Sequence, residues 1–289
     1  MALTSLRVAG VPEHFNLPWH FGMENGAFRK SGIDLAWQTV PQGTGALCDL
    51  LRKGETDLAL LLTDGAVRDI LNGNPSRIVS TYVDSPLNWG VYVGAGTTLD
   101  KPTDLIGVPF AISRFNSGSH LIAMNYARCL GWMPKESDFI IVHDLFGAEE
   151  RMRTGEPMTF LWEVATTSPW EEQGLFRKVD EFQPPWPCFM VVASEKALKE
   201  KGVEIQRALA VVRQQAALFK TRPDAVELVA QRQVISLPAA QRWLSEVRWN
   251  ANGSVDPDAL FSVAIALREM GLVEGSPTKE ELIRRVVAA

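Results

Sequence analysis

Cysteine is scarce in this chain of 289 residues, and its three copies, Cys48, Cys129 and Cys188, stand far apart. An odd number at wide spacing makes neither a disulfide framework nor a metal knuckle, so buried, reduced thiols are expected. Histidine is nearly as rare, four in all, with no HxH or HExxH spacing to bring two imidazoles onto one metal. No stretch approaches the roughly 18 unbroken apolar residues of a membrane helix, which excludes a helical span. Basic runs are missing too. With 29 Lys and Arg against 34 Asp and Glu, the net charge is -5, the wrong balance for a phosphate-binding surface, so no nucleic-acid partner is expected. No basic segment followed by an apolar one precedes the first strand-like run. The sequence as it stands therefore reads as cytoplasmic, or as periplasmic if an export leader has been removed.

What is present is the composition of an ordinary folded domain, 46% hydrophobic and 22% charged, at a length that allows two lobes with a core each. Strand-like and helical runs alternate from the start. "LRVAGV" is followed by a helix to Lys30, "IDLAWQTV" by a helix from Thr44 to Lys53, and "TDLALLL" by a helix from Asp64 to Leu71, before "RIVSTYV". Gly32, Gly54 and Gly73 stand where helices should stop, and Thr44 is a plausible N-cap. After "GAGTTLDKPTD" the alternation restarts: a strand at 108–113, a helix at 118–130, "DFIIVH", a helix at 147–154, "MTFLW", a helix at 164–173, and "LFRKV". Repeated β/α order implies parallel sheets covered on both faces. Beyond "QPPWPCFMVVAS" the chain is helical, with amphipathic runs at 203–219, 223–233, 238–246, 257–270 and 278–287.

Two apolar strands, 88–95 and 187–194, bracket the second α/β unit. Lying side by side they would carry the chain out to a second lobe and back, forming a hinge. On this reading lobe 1 comprises 1–91 and 190–289, and lobe 2 comprises 92–189. Ligands of open α/β sheets bind beyond the carboxyl ends of the strands, so two such lobes would gather their loops around one cleft. That rule selects Glu13, His14, Phe15 and Asn16 after the first strand, then Gln42, Gly43 and Thr44. It continues with Thr63 and Asp64, Asn88 and Trp89, Trp162 and Glu163, and Trp186. The segment "SRFNSGSH" adds Ser113, Arg114, Phe115, Ser117, Gly118, Ser119 and His120. Ser117 starts a helix whose first N–H groups lack partners, and Arg114 lies just upstream, which suits an anionic group. Equally, Ser117 reads as a plain N-cap and Arg114 as a surface cation. Taken singly, His14 fits a hydrogen-bonded histidine, Asn16 a helix cap and Trp186 a packing residue. It is their shared position at one end of the sheets that favours a cleft.

The combination of "GVPEHFNLPWH", "GTGALCDLLRKGETDLALLLTDG", "SRFNSGSHL" and "PPWPCF" resembles the type II periplasmic-binding-protein fold. It is similar to the nitrate, sulfonate and taurine type of substrate-binding proteins and to thiamine-pyrimidine synthases, closest to a Ca3427-like branch that lacks secretion signals. The resemblance covers nearly the whole chain and implies a two-lobed clamp whose C-terminal helices pack on lobe 1. It also implies reversible capture of a small molecule by hinge closure, usually for a transporter; with the anion site read from Arg114 and Ser117, the expectation is a small organic, anionic ligand bound by a monomer that serves an ABC permease or acts as a cytoplasmic metabolite-binding relative. An enzyme acting on a pyrimidine or thiamine precursor, and a ligand sensor, are the alternatives. The synthases use a cofactor-binding lysine and a cysteine-rich iron site. Here the cleft segments carry no lysine and the cysteines are scattered, so no cofactor, no metal and no catalytic residue is expected.

Overall fold

The computed structural model describes residues 3–288. Along the chain the elements are β1 (Thr4–Gly10), α1 (Leu17–Glu24), α2 (Ala27–Lys30), β2 (Ile33–Thr39), α3 (Thr44–Lys53), β3 (Leu58–Leu62), α4 (Thr63–Leu71) and β4 (Ser76–Val83). Then come β5 (Trp89–Gly94), β6 (Phe110–Ile112), α5 (Gly118–Cys129), β7 (Phe139–Ile141), α6 (Leu145–Met152), β8 (Thr159–Glu163), α7 (Val164–Glu172) and β9 (Phe176–Phe182). The last are β10 (Phe189–Ser194), α8 (Glu195–Lys220), α9 (Ala225–Gln233), α10 (Leu237–Glu246), α11 (Pro257–Glu269) and α12 (Lys279–Val286).

Two five-stranded sheets result, in the orders β2-β1-β3-β10-β4 and β7-β6-β8-β5-β9. In the first, β1 runs parallel to β2 and β3, while β10 lies antiparallel between β3 and β4. In the second, β6 runs parallel to β7 and β8, while β5 lies antiparallel between β8 and β9. The two apolar strands expected as crossovers are therefore interior strands, one in each sheet. Every residue of β5 and β10 is buried, which explains their unbroken apolar character. The passages between sheets are the short segments before them, 84–88 and 183–188. These do lie side by side: the Cys188 N–H donates to the Ser85 carbonyl at 3.1 Å.

The helix stops hold. Gly32, Gly54 and Gly73 all take left-handed φ, at +82°, +69° and +94°. Three local expectations are corrected. The first helix breaks at Gly26, dividing it into α1 and α2. The cap of α3 is Gly43, with φ of +77°, while the Thr44 hydroxyl accepts from the Leu62 N–H at 3.3 Å and ties the helix start to β3. And α8 begins at Glu195, capped by Ser194, with non-helical geometry at Lys201. There the ammonium reaches the buried Asp57 at 2.8 Å, and the same carboxylate takes Arg7 at 2.7 Å, which fastens α8 to the first sheet. Helices α11 and α12 pack against α4. Cys48 and Cys188 are buried as expected. Cys129 is exposed, because it falls on the outer face at the end of α5.

Candidate functional site

A cavity of about 620 Å³ lies between the two sheets. The parallel strands end at it and the antiparallel β5 and β10 begin at it, so each contributes a terminus. Glu13 follows β1; Gln42, Gly43 and Thr44 follow β2; Leu62 ends β3. From the other side come Trp89 at the start of β5, Ser113, Ser117, Gly118 and Ser119 after β6, and Trp162 and Glu163 at the end of β8. The sequence rule thus selects much of the wall, but not all of the residues it named.

The loop after β1 divides its side chains. Asn16 Nδ2 donates to the Val11 carbonyl at 2.7 Å and closes a turn of 3-10 helix over His14–Asn16. The Trp249 indole N–H donates to the Phe15 carbonyl at 3.0 Å, and the Phe15 ring packs on Phe189 and Trp243. That turn points His14, Phe15 and Asn16 into the core and leaves Glu13 on the cavity wall. His14 is fully buried, edge-on to Trp243 at 4.3 Å, and its Nε2 lies 3.5 Å from Glu163 Oε2 across the lobe boundary.

Three acids face the cavity, and two are committed. Glu163 caps α7: its oxygens accept from the Ala165 N–H at 3.0 Å and from both the N–H and hydroxyl of Thr166 at 2.7 Å. Burial pushes its carboxyl up, but neighbouring His14 and the Thr166 hydrogen bonds outweigh that and hold it below the usual range. Asp144 caps α6 through the Gly147 N–H at 3.0 Å. Glu13 differs. Its Oε2 is buried without a partner, and burial raises its pKa to about 7, with His14 opposing and Glu163 adding to the rise.

The start of α5 is a closed hydrogen-bond network. Ser117 accepts from the His120 N–H at 3.3 Å, and Ser119 Oγ receives the Ser113 N–H at 2.9 Å and meets Ser117 Oγ at 3.0 Å. His120 lies off the cavity wall, where its Nδ1 accepts the Asn116 N–H at 3.1 Å and its ring packs on Phe115 and Phe139. Burial, with Arg68 nearby, lowers its pKa to about 4, so it stays neutral. Arg114 is also off the wall. Its guanidinium donates to the Gln42 carbonyl and lies against Gly45, joining loops of the two lobes. Among the described residues, no Lys or Arg lines the cavity.

The remaining selected residues are structural. The Thr63 hydroxyl donates to the Pro187 carbonyl. Asp64 accepts the Gly65 N–H at 2.7 Å and is pushed to about 6 by burial. Asn88 donates to Glu181 at 3.1 Å, and Trp186 is buried in the second passage. Sequence reasoning missed His143, Asp144, Leu145 and Phe146, although they follow β7 and the same rule covers them. It also missed Trp170, one turn beyond Thr166 on α7, and Gln233 with Val234 from the α9–α10 turn. Each non-glycine residue with positive φ, Asn116, His143 or Val234, belongs to a loop of this cleft, and backbone strain gathers at working sites.

A second cavity, about 520 Å³, lies among the passages, α7 and α10. Two of its cations are engaged. Arg242 binds Glu181 with two nitrogens at 3.0 and 2.6 Å, and Lys178 reaches the same carboxylate at 2.8 Å. Asn88 Oδ1 on its wall is a buried acceptor without a partner among the described residues, but only the first cavity is built from the strand termini of both sheets and walled by several aromatic side chains.

No protein-family model matches the chain, and no curated protein matches it. Solved structures do. The Candida albicans CA3427 gene product, described as defining a new family with the generic periplasmic binding protein structural fold, superposes with a TM-score of 0.91. It is 26% identical over 99% of this chain and 96% of that one. The alkanesulfonate-binding protein SsuA of Xanthomonas axonopodis pv. citri, bound to MOPS, gives 0.81 at 14% identity over the full length of both. The periplasmic nitrate-binding protein NrtA of Synechocystis PCC 6803 gives 0.76 at 12% identity, over 99% of this chain and 86% of that one. Two five-stranded sheets joined by paired passages, superposing on these structures over nearly their whole length, give this chain the periplasmic-binding-protein fold that its sequence motifs resemble.

Proposed function

We propose that this chain is a solute-binding protein: it captures one small organic molecule between its two lobes and releases it unchanged. The observation that carries this reading is the cavity of about 620 Å³, built from strand termini of both sheets, within the range of small-molecule sites. A ligand held there touches both lobes at once. Contacts available only when the lobes are together shift the equilibrium toward closure, the basis of clamp-like capture. The residues proposed to meet the ligand are Glu13, Gln42, Thr44, Trp89, Ser117, Ser119 and Trp162, joined by Phe146 and Trp170.

An anionic ligand was expected from Arg114 and the start of α5. Here Arg114 Nη1 is bonded to the Gln42 carbonyl, Nη2 is buried without a partner among the described residues, and the helix start is capped by Ser117. The binding reading does not depend on an anionic ligand. Lobes that move as rigid bodies about 84–88 and 183–188, and a monomeric state, belong to the same proposal.

A thermal-shift screen of small anions, amino acids, sulfonates and flat nitrogen heterocycles, followed by X-ray scattering of each hit, tests it. The expected result is a stabilising compound that makes the protein more compact and is recovered intact. A hit converted to product would replace capture with catalysis. The transport arm of the reading requires a permease partner, and co-purification with a permease encoded beside this gene tests that arm.

A further inference from the structure

Resting on the cleft as the binding site, we propose that its ligand is a flat organic molecule that presents a protonated or N–H donor group to Glu13, and that the cleft selects against anions. Three observations converge. Glu13 Oε2 is a buried acceptor that the described residues leave without a hydrogen bond, whereas the other two acids on the wall are engaged as helix caps. The same cavity is lined by Trp89, Trp162, Trp170 and Phe146, aromatic surface suited to a planar body. Arg114, the candidate counter-ion for an anion, stands outside the lining, with Nη1 on the Gln42 carbonyl and Nη2 buried without a partner among the described residues.

The chemistry follows. A buried acceptor without a donor is costly, and a ligand that supplies the donor recovers that cost on binding. When the donor is an amidinium or ammonium, the hydrogen bond is charge-assisted and of the stronger kind, and the aromatic faces attract the same cation. An anion in this space would face Glu13 and Glu163 with no Lys or Arg among the described residues of the wall to compensate. Burial gives Glu13 its high proton affinity, and a cationic ligand would draw the carboxyl into its charged form.

Three probes that share one ring separate the possibilities: benzamidine, benzamide and benzenesulfonate, titrated by calorimetry into the wild type and Glu13→Gln, with a crystal structure of the tightest complex. The expected order is benzamidine, then benzamide, then benzenesulfonate. In Glu13→Gln the benzamidine to benzenesulfonate affinity ratio should fall by about tenfold or more, the scale of one charge-assisted hydrogen bond. A folding defect would lower both affinities without changing that ratio. Benzenesulfonate bound most tightly within this cleft, or a ratio unchanged in Glu13→Gln, would overturn the ligand class and leave the cleft a solute site. Probes bound only beside Lys178 and Arg242, or none bound to the wild type, would overturn the class and the cleft assignment together.

Discussion

Glu13 shows how a working residue declares itself by what it costs the fold. Burial raises its pKa from 4.5 to about 7. Between those values the folded state holds a proton that the unfolded chain has released, so this group's contribution favours folding at low pH and is lost as pH rises through about 7. Glu13→Gln keeps the shape and removes the titration. The variant should match the wild type near pH 4.5 and be more stable by about 1–3 kcal/mol near pH 8, as read by urea midpoints. A difference that stays constant with pH would show that burial does not act on this carboxyl. His120 has the opposite sign: its lowered pKa means stability present above about 6.5 and lost toward about 4, so Glu13→Gln must be compared with wild type at each pH. Val234 makes the same point through the backbone. It is 82% exposed at the cleft mouth with φ of +55°, a conformation that a β-branched side chain resists. Val234→Gly loses little packing, and the relief of strain should exceed the added freedom of the unfolded chain, raising stability by about 1 kcal/mol in denaturant.

At the scale of elements, β/α alternation made most of the site legible, because each parallel strand must deliver its following loop to the same end of the sheet. The rule locates loops but cannot orient the residues within one. "EHFN" is a case in point: the Asn16–Val11 bond and the anchoring of the Phe15 carbonyl turn three of its four side chains inward, and neither partner can be read from the loop itself. The α9–α10 turn was illegible for another reason. Amphipathic periodicity says that a helix packs, not against which lobe, and only the fold brings Val234 to the cleft that Phe146 also lines. The apolar runs at 88–95 and 187–194 mark where the chain passes between sheets but not the passages' exact bounds, because full burial looks alike whether a strand is interior to a sheet or bridges two. Helix caps add a last layer, in which Glu163 serves both the cavity and α7. Glu163→Ala removes acceptors from Ala165 and Thr166 and leaves His14 without its carboxylate neighbour, so it should destabilise the protein by about 1–3 kcal/mol. Hydrogen exchange should quicken first at the amides of 165 and 166. Protection there equal to wild type would mean that α7 does not depend on this cap.

For the whole molecule, the question is what holds the lobes together before any ligand arrives. Arg114 and Gln42 sit on loops that both border the cleft, one after β6 and one after β2, so opening the mouth must break the guanidinium–carbonyl bond. Exposed on one side, such a bond contributes on the order of 1 kcal/mol, or about a fivefold change in the closed-to-open ratio. That is small against folding stability but decisive for two states of similar energy. Arg114→Ala should therefore unfold at nearly the same denaturant concentration as the wild type, yet scatter as a more extended particle without ligand. Because a ligand must then supply the closure that Arg114 supplied, every ligand of the cleft should weaken by about fivefold, whatever its charge. Benzamidine and benzenesulfonate should both lose affinity, with their ratio preserved. A loss confined to benzenesulfonate would make Arg114 an anion receptor after all, and an unchanged scattering profile would show that the clasp does not set the resting state.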